Sequence, residues 1–208
     1  MNKNKQTILL TGFGSFSDTD DNPSIKVVNH LLSSKEDWKS KVDLRKSIME
    51  VSYEGCTQSF DNDIKQHSPD IVISFGLNAS LQNTVVIEPA AYNSEEKYYP
   101  DVLGKLPPAD KIDSSAPEEL NPLFNVDKIV SSLSNLKNPA IEKSSFINYI
   151  CNYYYFYALN QFRKTNPDNK ALFIHIPQES ETCSIDKISN ACEYIVKTIC
   201  SRNFDLPE

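Results

Sequence analysis

The sequence predicts an α/β fold of three layers, α/β/α, built on an open, mostly parallel twisted sheet. Short β-rich runs alternate with segments of helical period along the chain, which is the pattern of a sheet covered by helices on both faces. The 208 residues suffice for one well-filled core and are few for two, so we expect a single domain over residues 1–208. Hydrophobic residues make up 39% and charged residues 24%, a balance typical of globular chains.

The predicted elements follow in order. Residues 6–10 form an apolar run that predicts the first strand, and Pro23 with Ser24 opens a helix with one apolar face. Residues 70–75 are a strongly apolar strand that ends at Gly76. Residues 92–124 are rich in proline and acidic side chains and lack periodicity, which is typical of a functional or mobile connection. The other predicted strands are 48–53, 84–88, 140–144 and 171–176, and the other helices are 58–67, 126–136, 149–163 and 185–200.

The N-terminus and the cysteines predict a cytoplasmic protein. Residues 1–12 begin with a basic stretch but reach only a short apolar run before Gly12, so we expect no signal peptide. The five cysteines are then expected to be free thiols, and their odd number agrees. The net charge of −7 and the scattered basic residues argue against nucleic acid or an anionic membrane as a partner.

The three histidines differ in what their positions suggest. Catalysis by a cysteine nucleophile needs a histidine to hold the thiol proton and usually a third group to orient that histidine. His30 falls on the polar side of the first helix, and His67 lies at a helix end where its charge suits the dipole. His175 instead lies at the carboxyl end of an apolar strand, where ligands bind in open α/β sheets. A buried core histidine is the equally weighted alternative.

Among the cysteines, Cys151 has the most suggestive local context. It follows a short strand and lies in the first turn of a helix, where unpaired N–H groups and the dipole stabilise a thiolate. A structural cysteine is the alternative. Cys56, beside a glycine at a predicted strand-to-helix turn, is a weaker rival. Cys192 lies on the apolar stripe of the last helix, and its spacing from Cys183 and Cys200 matches no zinc pattern, so no metal site is predicted.

Glu88 is a carboxylate that needs a partner. It ends a predicted strand on the same face as Val86, and carboxylates are rarely buried without a partner. The imidazole of His175 is one such partner, although nothing local proves the pairing.

The motif Gly12-Phe13-Gly14 is similar to the start of a dinucleotide-binding fingerprint. Ser17 occupies the place of the third glycine, and no acidic residue ends a clear second strand at the required distance. Nucleotide binding is therefore not favoured.

Four segments, in order along the chain, carry a resemblance to one family. Thr11-Gly12-Phe13 with Phe16, and then Asn22-Pro23-Ser24, is similar to T-G-F-x-x-F followed by N-P-S. Residues 76–93 frame Glu88, and residues 149–152 read Y-I-C-N where the family has Y-L-C-N. Residues 173–177 read F-I-H-I-P, similar to F-I-H-V-P. The chain thus resembles pyroglutamyl peptidase I, the pyrrolidone-carboxylate peptidases.

The resemblance implies removal of an N-terminal pyroglutamyl residue from peptides by thiolate attack on the carbonyl that joins it to the next residue. It implies that Cys151 is the nucleophile, His175 the general base and then acid, and Glu88 the orienting carboxylate. It also implies that Phe13 and Phe16 wall an apolar pocket for the lactam ring, which suits a neutral ring without a free amine. Burial of these two rings under the loop is the alternative. No metal or cofactor is implied.

The family tends to form tetramers, so a homo-oligomer is one expectation. The aromatic band 153–157 fits a self-association surface and an intramolecular core equally well.

Three departures from the family pattern leave two hypotheses. Phe146 and Ile147 stand where the family has Ala-Gly, and Pro89 stands where it has a basic residue. Tyr98 replaces an arginine, for which Lys97 is a partial substitute. Loss of one oxyanion donor costs roughly 3 kcal/mol in other enzymes. The chain is therefore either a working pyroglutamyl peptidase or a divergent, weakly active or inactive homologue that acts as a binding or scaffold protein.

Overall fold

A computed structural model of the protein describes residues 5–16, 22–94, 99–144 and 149–201. These residues form eight strands and five α-helices, with a short 3-10 helix at Asp37–Lys41. The strands are β1 Gln6–Phe13, β2 Val42–Met49, β3 Ile71–Leu77, β4 Thr84–Ile87, β5 Ala91–Tyr92, β6 Glu119–Leu120, β7 Ala140–Lys143 and β8 Lys170–Ile176. The helices are α1 Pro23–Ser33, α2 Tyr53–His67, α3 Val126–Ser132, α4 Tyr149–Thr165 and α5 Ile185–Cys200.

The main sheet has six strands in the order β2-β1-β3-β8-β4-β7. Strands β2, β1, β3 and β8 are parallel, whereas β4 runs antiparallel to β8 and pairs in parallel with β7. The predicted open, mostly parallel sheet is confirmed. Strands β5 and β6 form a separate antiparallel pair within the region predicted to be irregular.

Two apolar layers cover the sheet. Helices α1, α3 and α5 pack on one face, against strand residues such as Leu10 and Ile73, and helices α2 and α4 pack on the other, against residues such as Val72 and Phe173. The predicted three-layer α/β/α arrangement is confirmed. Because successive strand residues point to opposite faces, His175 lies on the same face as Phe173, under α2 and α4.

The predicted strand at 48–53 is wrong. The strand is β2, Val42–Met49, and α2 already begins at Tyr53. Strand β2 lies at the edge of the sheet and its middle residues are largely exposed, so it has no apolar run that marks it. Its position is fixed by parallel pairing with β1, which itself extends to Phe13 beyond the predicted end. Helix α2 begins after Ser52, whose hydroxyl oxygen accepts a hydrogen bond from the Gly55 N–H at 3.0 Å.

The aromatic residues of α4 form an intramolecular core. Tyr154, Tyr155 and Phe156 are fully buried between α2 and the sheet, while Tyr153 and Tyr157 are partly exposed. The prediction of an intramolecular core is therefore right for residues 154–156, the middle of the aromatic band 153–157. No helix in the described part of the chain is long and apolar enough to cross a membrane.

Candidate active site

Helix α4 presents Cys151 in its first turn. The helix begins at Tyr149, whose φ of 55° lies in the left-handed region that non-glycine residues adopt infrequently. Asn152 anchors this turn, because its amide donates to the Tyr92 and Ser94 carbonyls at 2.8 and 2.9 Å and its side-chain oxygen accepts from the Tyr92 N–H at 2.8 Å. Cys151 is partly exposed beside the N-terminal dipole, an environment that favours a thiolate.

Gly76 makes room for the Cys151 sulfur at the carboxyl end of β3. A Cβ atom at this position would lie 3.1 Å from the Cys151 Sγ and 2.7 Å from the Phe173 ring. Gly76 is also the register partner of His175 on the neighbouring strand β8. The thiol therefore lies over the ends of β3 and β8, and the absence of a side chain at Gly76 permits this approach.

Strand β4 brings Glu88 to the imidazole. Val86 is the antiparallel register partner of His175, and the Glu88 N–H donates to the Phe173 carbonyl at 3.0 Å. His175 Nδ1 then lies 2.7 Å from Glu88 Oε1, with both side chains buried. A neutral imidazole that donates from Nδ1 to a carboxylate keeps Nε2 as its proton acceptor.

Burial is the largest influence on the Glu88 carboxyl. It raises the pKa of Glu88 above the ordinary glutamate value, and the hydrogen bond and charge interaction with His175 oppose that shift. Glu88 Oε2 has no hydrogen-bond partner among the described residues. The Phe173 ring packs edge-to-face against the imidazole with centroids 5.0 Å apart. Among the described residues, the Glu88 carboxylate therefore has one hydrogen-bond partner, the His175 imidazole, and its surroundings are apolar.

The loop after β1 is tied to the start of α1. The Phe13 N–H donates to the Ser24 hydroxyl oxygen at 2.9 Å, and the Asn22 amide donates to the Gly14 carbonyl at 3.0 Å. Gly12 lies against this helix start, where a Cβ atom would approach the Ser24 backbone to 3.1 Å. Through these contacts, the segment Thr11-Gly12-Phe13 and the segment Asn22-Pro23-Ser24 hold each other in position.

A cavity of about 340 Å³ joins four of the five predicted site residues: Phe13, Phe16, Cys151 and His175. Phe13 is buried, with its ring 5.7 Å from Tyr154 and 6.2 Å from Phe173. The fifth residue, Glu88, lies behind His175. The structure thus places all five residues at one location, and their chemical roles stay predictions.

Sequence reasoning missed the other walls of this cavity. Among the described residues they are Leu77 at the end of β3 and Asn78, Ala79 and Ser80 after it, together with Asn22, Val51, Tyr149 and Ile150. The residues after β3 had a usable signal, because they follow the carboxyl end of a central parallel strand. Asn78 also orders its own turn, with its side-chain oxygen accepting from the Ser80 N–H at 3.0 Å.

The remaining cysteines lack the setting of Cys151. All five are free. Cys56 lies inside α2, fully buried, with its thiol 3.5 Å from the Tyr53 carbonyl oxygen, so burial argues against it as a rival nucleophile. Burial raises the pKa of Cys192, and it raises that of Cys200 to about 12.

Neither of the other histidines lines the cavity. His30 Nε2 lies 3.4 Å from a carboxylate oxygen of Glu193 on α5, and His67 occupies the last turn of α2, as predicted.

The departures from the family pattern fall mostly outside the described residues. Lys97, Tyr98, Phe146 and Ile147 all lie there. Pro89 is described, and the contact between the glutamate before it and His175 forms with the proline in place.

Comparison with known proteins identifies the family. The family model described as pyroglutamyl peptidase matches residues 6–201. The chain belongs to the pyroglutamyl peptidase family. The predicted family is therefore confirmed, and with it the prediction that the chain is a peptidase-type enzyme.

Curated relatives of this pyroglutamyl peptidase family member cover nearly the whole chain. It is 27% identical over 199 residues to the pyrrolidone-carboxylate peptidase of Thermococcus onnurineus, covering 92% of this chain and 97% of the relative. It is 28% identical over 201 residues to that of Thermosipho africanus, covering 92% and 96%.

Solved structures show the same fold. Pyroglutamyl peptidase I of Bacillus amyloliquefaciens superposes with a TM-score of 0.86 at 22% identity, covering 97% of this chain and 100% of the other. Pyrrolidone carboxyl peptidase of Thermococcus litoralis superposes with a TM-score of 0.84 at 22% identity, covering 98% and 99%.

Proposed function

We propose that this protein is a single-domain cysteine peptidase that removes an N-terminal pyroglutamyl residue from peptides. The observation that carries the proposal is the buried His175–Glu88 pair at 2.7 Å, with His175 lining the same cavity as Cys151. Membership of the pyroglutamyl peptidase family supports the substrate class.

The proposed reaction assigns one task to each of the three polar residues. His175 Nε2 takes the proton of the Cys151 thiol, and the thiolate attacks the carbonyl carbon of the pyroglutamyl residue. The resulting imidazolium is stabilised by the Glu88 carboxylate at Nδ1. It then protonates the amine of the next residue as the C–N bond breaks, which leaves a thioester on Cys151. Water, deprotonated by His175, hydrolyses the thioester and releases pyroglutamate.

The cavity suits a lactam better than a free amino terminus. Phe13 and Phe16 offer flat apolar surfaces, and Asn78 and Ser80 offer polar groups in the same lining. Among the described residues that line the cavity, none is a carboxylate that could anchor a charged α-amine. A neutral, blocked N-terminus is therefore the expected ligand.

Burial of a carboxylate is unfavourable, yet Glu88 is buried in contact with His175. A protein without catalytic activity gains nothing from this arrangement, so the alternative of an inactive scaffold protein is not favoured. A cytoplasmic location and a homo-oligomeric state stay predictions from the sequence and the family resemblance.

The test compares a fluorogenic pyroglutamyl amide with the matching prolyl amide, which has a charged ring nitrogen in place of the lactam. We expect turnover of the pyroglutamyl amide only, and its loss in Cys151→Ala. Cys200→Ala is the matched control, since it removes a cysteine far along the chain from the cavity and is expected to keep activity. Absence of turnover by well-folded wild-type protein would overturn the proposal, and full activity of Cys151→Ala would reassign the nucleophile.

A further inference from the structure

A second cavity, of about 490 Å³, adjoins the cavity of Cys151. Among the described residues, its lining is formed by Ser15, Phe16, Pro100, Asp101, Val102 and Tyr149. Phe16 and Tyr149 line both cavities, so the two spaces are neighbours that share part of their walls. The second cavity has no task in the mechanism given above.

The outer wall of this second cavity is a fixed loop. Asp101 Oδ1 accepts from the Leu103 and Lys105 N–H groups, both at 2.9 Å, and its Oδ2 accepts from the Tyr53 N–H at 3.1 Å. The Val102 N–H donates to the Val51 carbonyl at 3.2 Å. The loop is therefore attached to the segment that begins α2.

The same loop is attached to the helix that carries the nucleophile. The hydroxyl of Tyr149, two residues before Cys151, donates to the Pro100 carbonyl at 2.9 Å. The hydroxyl of Tyr53 donates to the neighbouring Tyr99 carbonyl at 3.2 Å. The wall of the second cavity thus has a set position relative to the thiol, which a specificity subsite requires.

We propose that the second cavity binds the side chain of the residue that follows pyroglutamate in the peptide. This inference rests on the proposed function and specifies its substrate. The scissile bond joins the pyroglutamyl carbonyl to the nitrogen of the next residue, and Cα atoms of neighbouring residues are about 3.8 Å apart. With the lactam in the first cavity and its carbonyl at Cys151, the next side chain reaches the adjoining space.

The lining predicts a preference for apolar side chains at that position. Phe16, Pro100, Val102 and the Tyr149 ring supply apolar surface, and Val102 keeps 42% of its surface exposed for contact. The Asp101 carboxylate is buried and already accepts three backbone hydrogen bonds, so it offers an acidic side chain only repulsion. The expected order of cleavage is leucine, then glycine, then glutamate after pyroglutamate.

The experiment measures kcat/KM for pyroglutamyl-X-alanine peptides with leucine, glycine, lysine or glutamate at X. Glycine has no side chain, so the leucine-to-glycine ratio isolates the subsite. In the wild type we expect this ratio to be about 10, the discrimination that one apolar contact surface supplies. Val102→Asp places a second carboxylate in the wall, and we expect it to bring the ratio close to one and to raise the lysine-to-glycine ratio.

Leu106→Asp is the matched control. Leu106 is 54% exposed on the same segment but does not line the cavity, so this variant is expected to keep the wild-type ratios. The proposed subsite would be overturned if wild type and Val102→Asp had equal leucine-to-glycine ratios of kcat/KM. It would also be overturned if Leu106→Asp changed these ratios as much as Val102→Asp does. Failure of the wild type to cleave any of the peptides would instead overturn the proposed function, so the two failures are distinguishable.

Discussion

Replacing Glu88 by glutamine separates two effects of this carboxylate: it orients the imidazole, and its burial lowers the stability of the fold. The substitution keeps the shape of the side chain and removes its charge. Glu88 Oε1 lies 2.7 Å from His175 Nδ1, and Oε2 has no hydrogen-bond partner among the described residues. The effect of the substitution on the imidazole therefore passes through this one contact.

The glutamine amide has two orientations, and both impair the imidazole. If its NH₂ group donates to Nδ1, the ring takes the other tautomer and Nε2 carries the proton, so it cannot accept one from the thiol. If its carbonyl oxygen faces Nδ1, the ring keeps its tautomer, but the negative charge that stabilises the imidazolium is gone. A hydrogen bond to a charged group contributes about 1.5–3 kcal/mol, so we expect kcat/KM to fall by about 10- to 150-fold in this milder case.

Stability is expected to change in the opposite direction. Burial raises the pKa of Glu88 above the ordinary value of 4.5, so the folded state binds more protons than the unfolded state between 4.5 and the raised pKa. Folding stability of the wild type then falls as pH rises through that window. Glutamine does not ionise, so at pH 7 the variant is expected to be at least as stable as the wild type.

The assay combines kcat/KM for the fluorogenic pyroglutamyl amide with the midpoint of urea unfolding at pH 4 and pH 7. Glu118→Gln, at an exposed glutamate paired with Lys111, is the matched control and should change neither measurement appreciably. Unchanged kcat/KM in folded Glu88→Gln would refute the orienting role. A large loss of stability at pH 7, together with lost activity, would show that Glu88 holds the fold rather than the imidazole.

Three further predictions follow from the same structure. Gly76→Ala forces a Cβ atom to within 2.7 Å of the Phe173 ring, so we expect overpacking of about 2 kcal/mol, a fall in Tm of about 4–8 °C and loss of activity. Brief iodoacetamide treatment at pH 7, read by mass spectrometry, should label Cys151 before the buried Cys192, and equal labelling would contradict activation of Cys151. A hydrogen bond from a lysine on α4 lowers the pKa of Asp113, so its stabilising effect is present above the ordinary value of 3.8 and is lost at lower pH. Asp113→Asn should therefore speed hydrogen exchange in residues 111–118 more strongly at pH 7 than at pH 2, and unchanged exchange at pH 7 would contradict this.

The elements that sequence periodicity predicted are those buried in the centre of the sheet. Strands β3 and β8 are continuous apolar runs because helices cover both of their faces. Helix α5 carries one apolar stripe that packs on a single face, and its predicted bounds agree with the structure. Strand β2 was misplaced because an edge strand with exposed residues has no such pattern, and its register depends on β1.

Local sequence also indicated two of the candidate site residues, each through its position in one element. Cys151 follows a strand and begins a helix, and His175 ends a strand, so each has a context that can be recognised without its partner. The resemblance to pyroglutamyl peptidases connected them with Glu88, Phe13 and Phe16 and named a substrate.

The sequence by itself determined the layer order, the buried strands and the residues capable of the chemistry, because these depend on patterns within a few turns of chain. Tertiary structure alone decided that β4 lies antiparallel beside β8, which brings the Glu88 carboxylate to Nδ1 of His175. It also decided that Gly76 leaves space for the Cys151 sulfur and that a second cavity opens beside the first. These contacts join residues far apart in the chain, and their geometry depends on how strands and helices pack together.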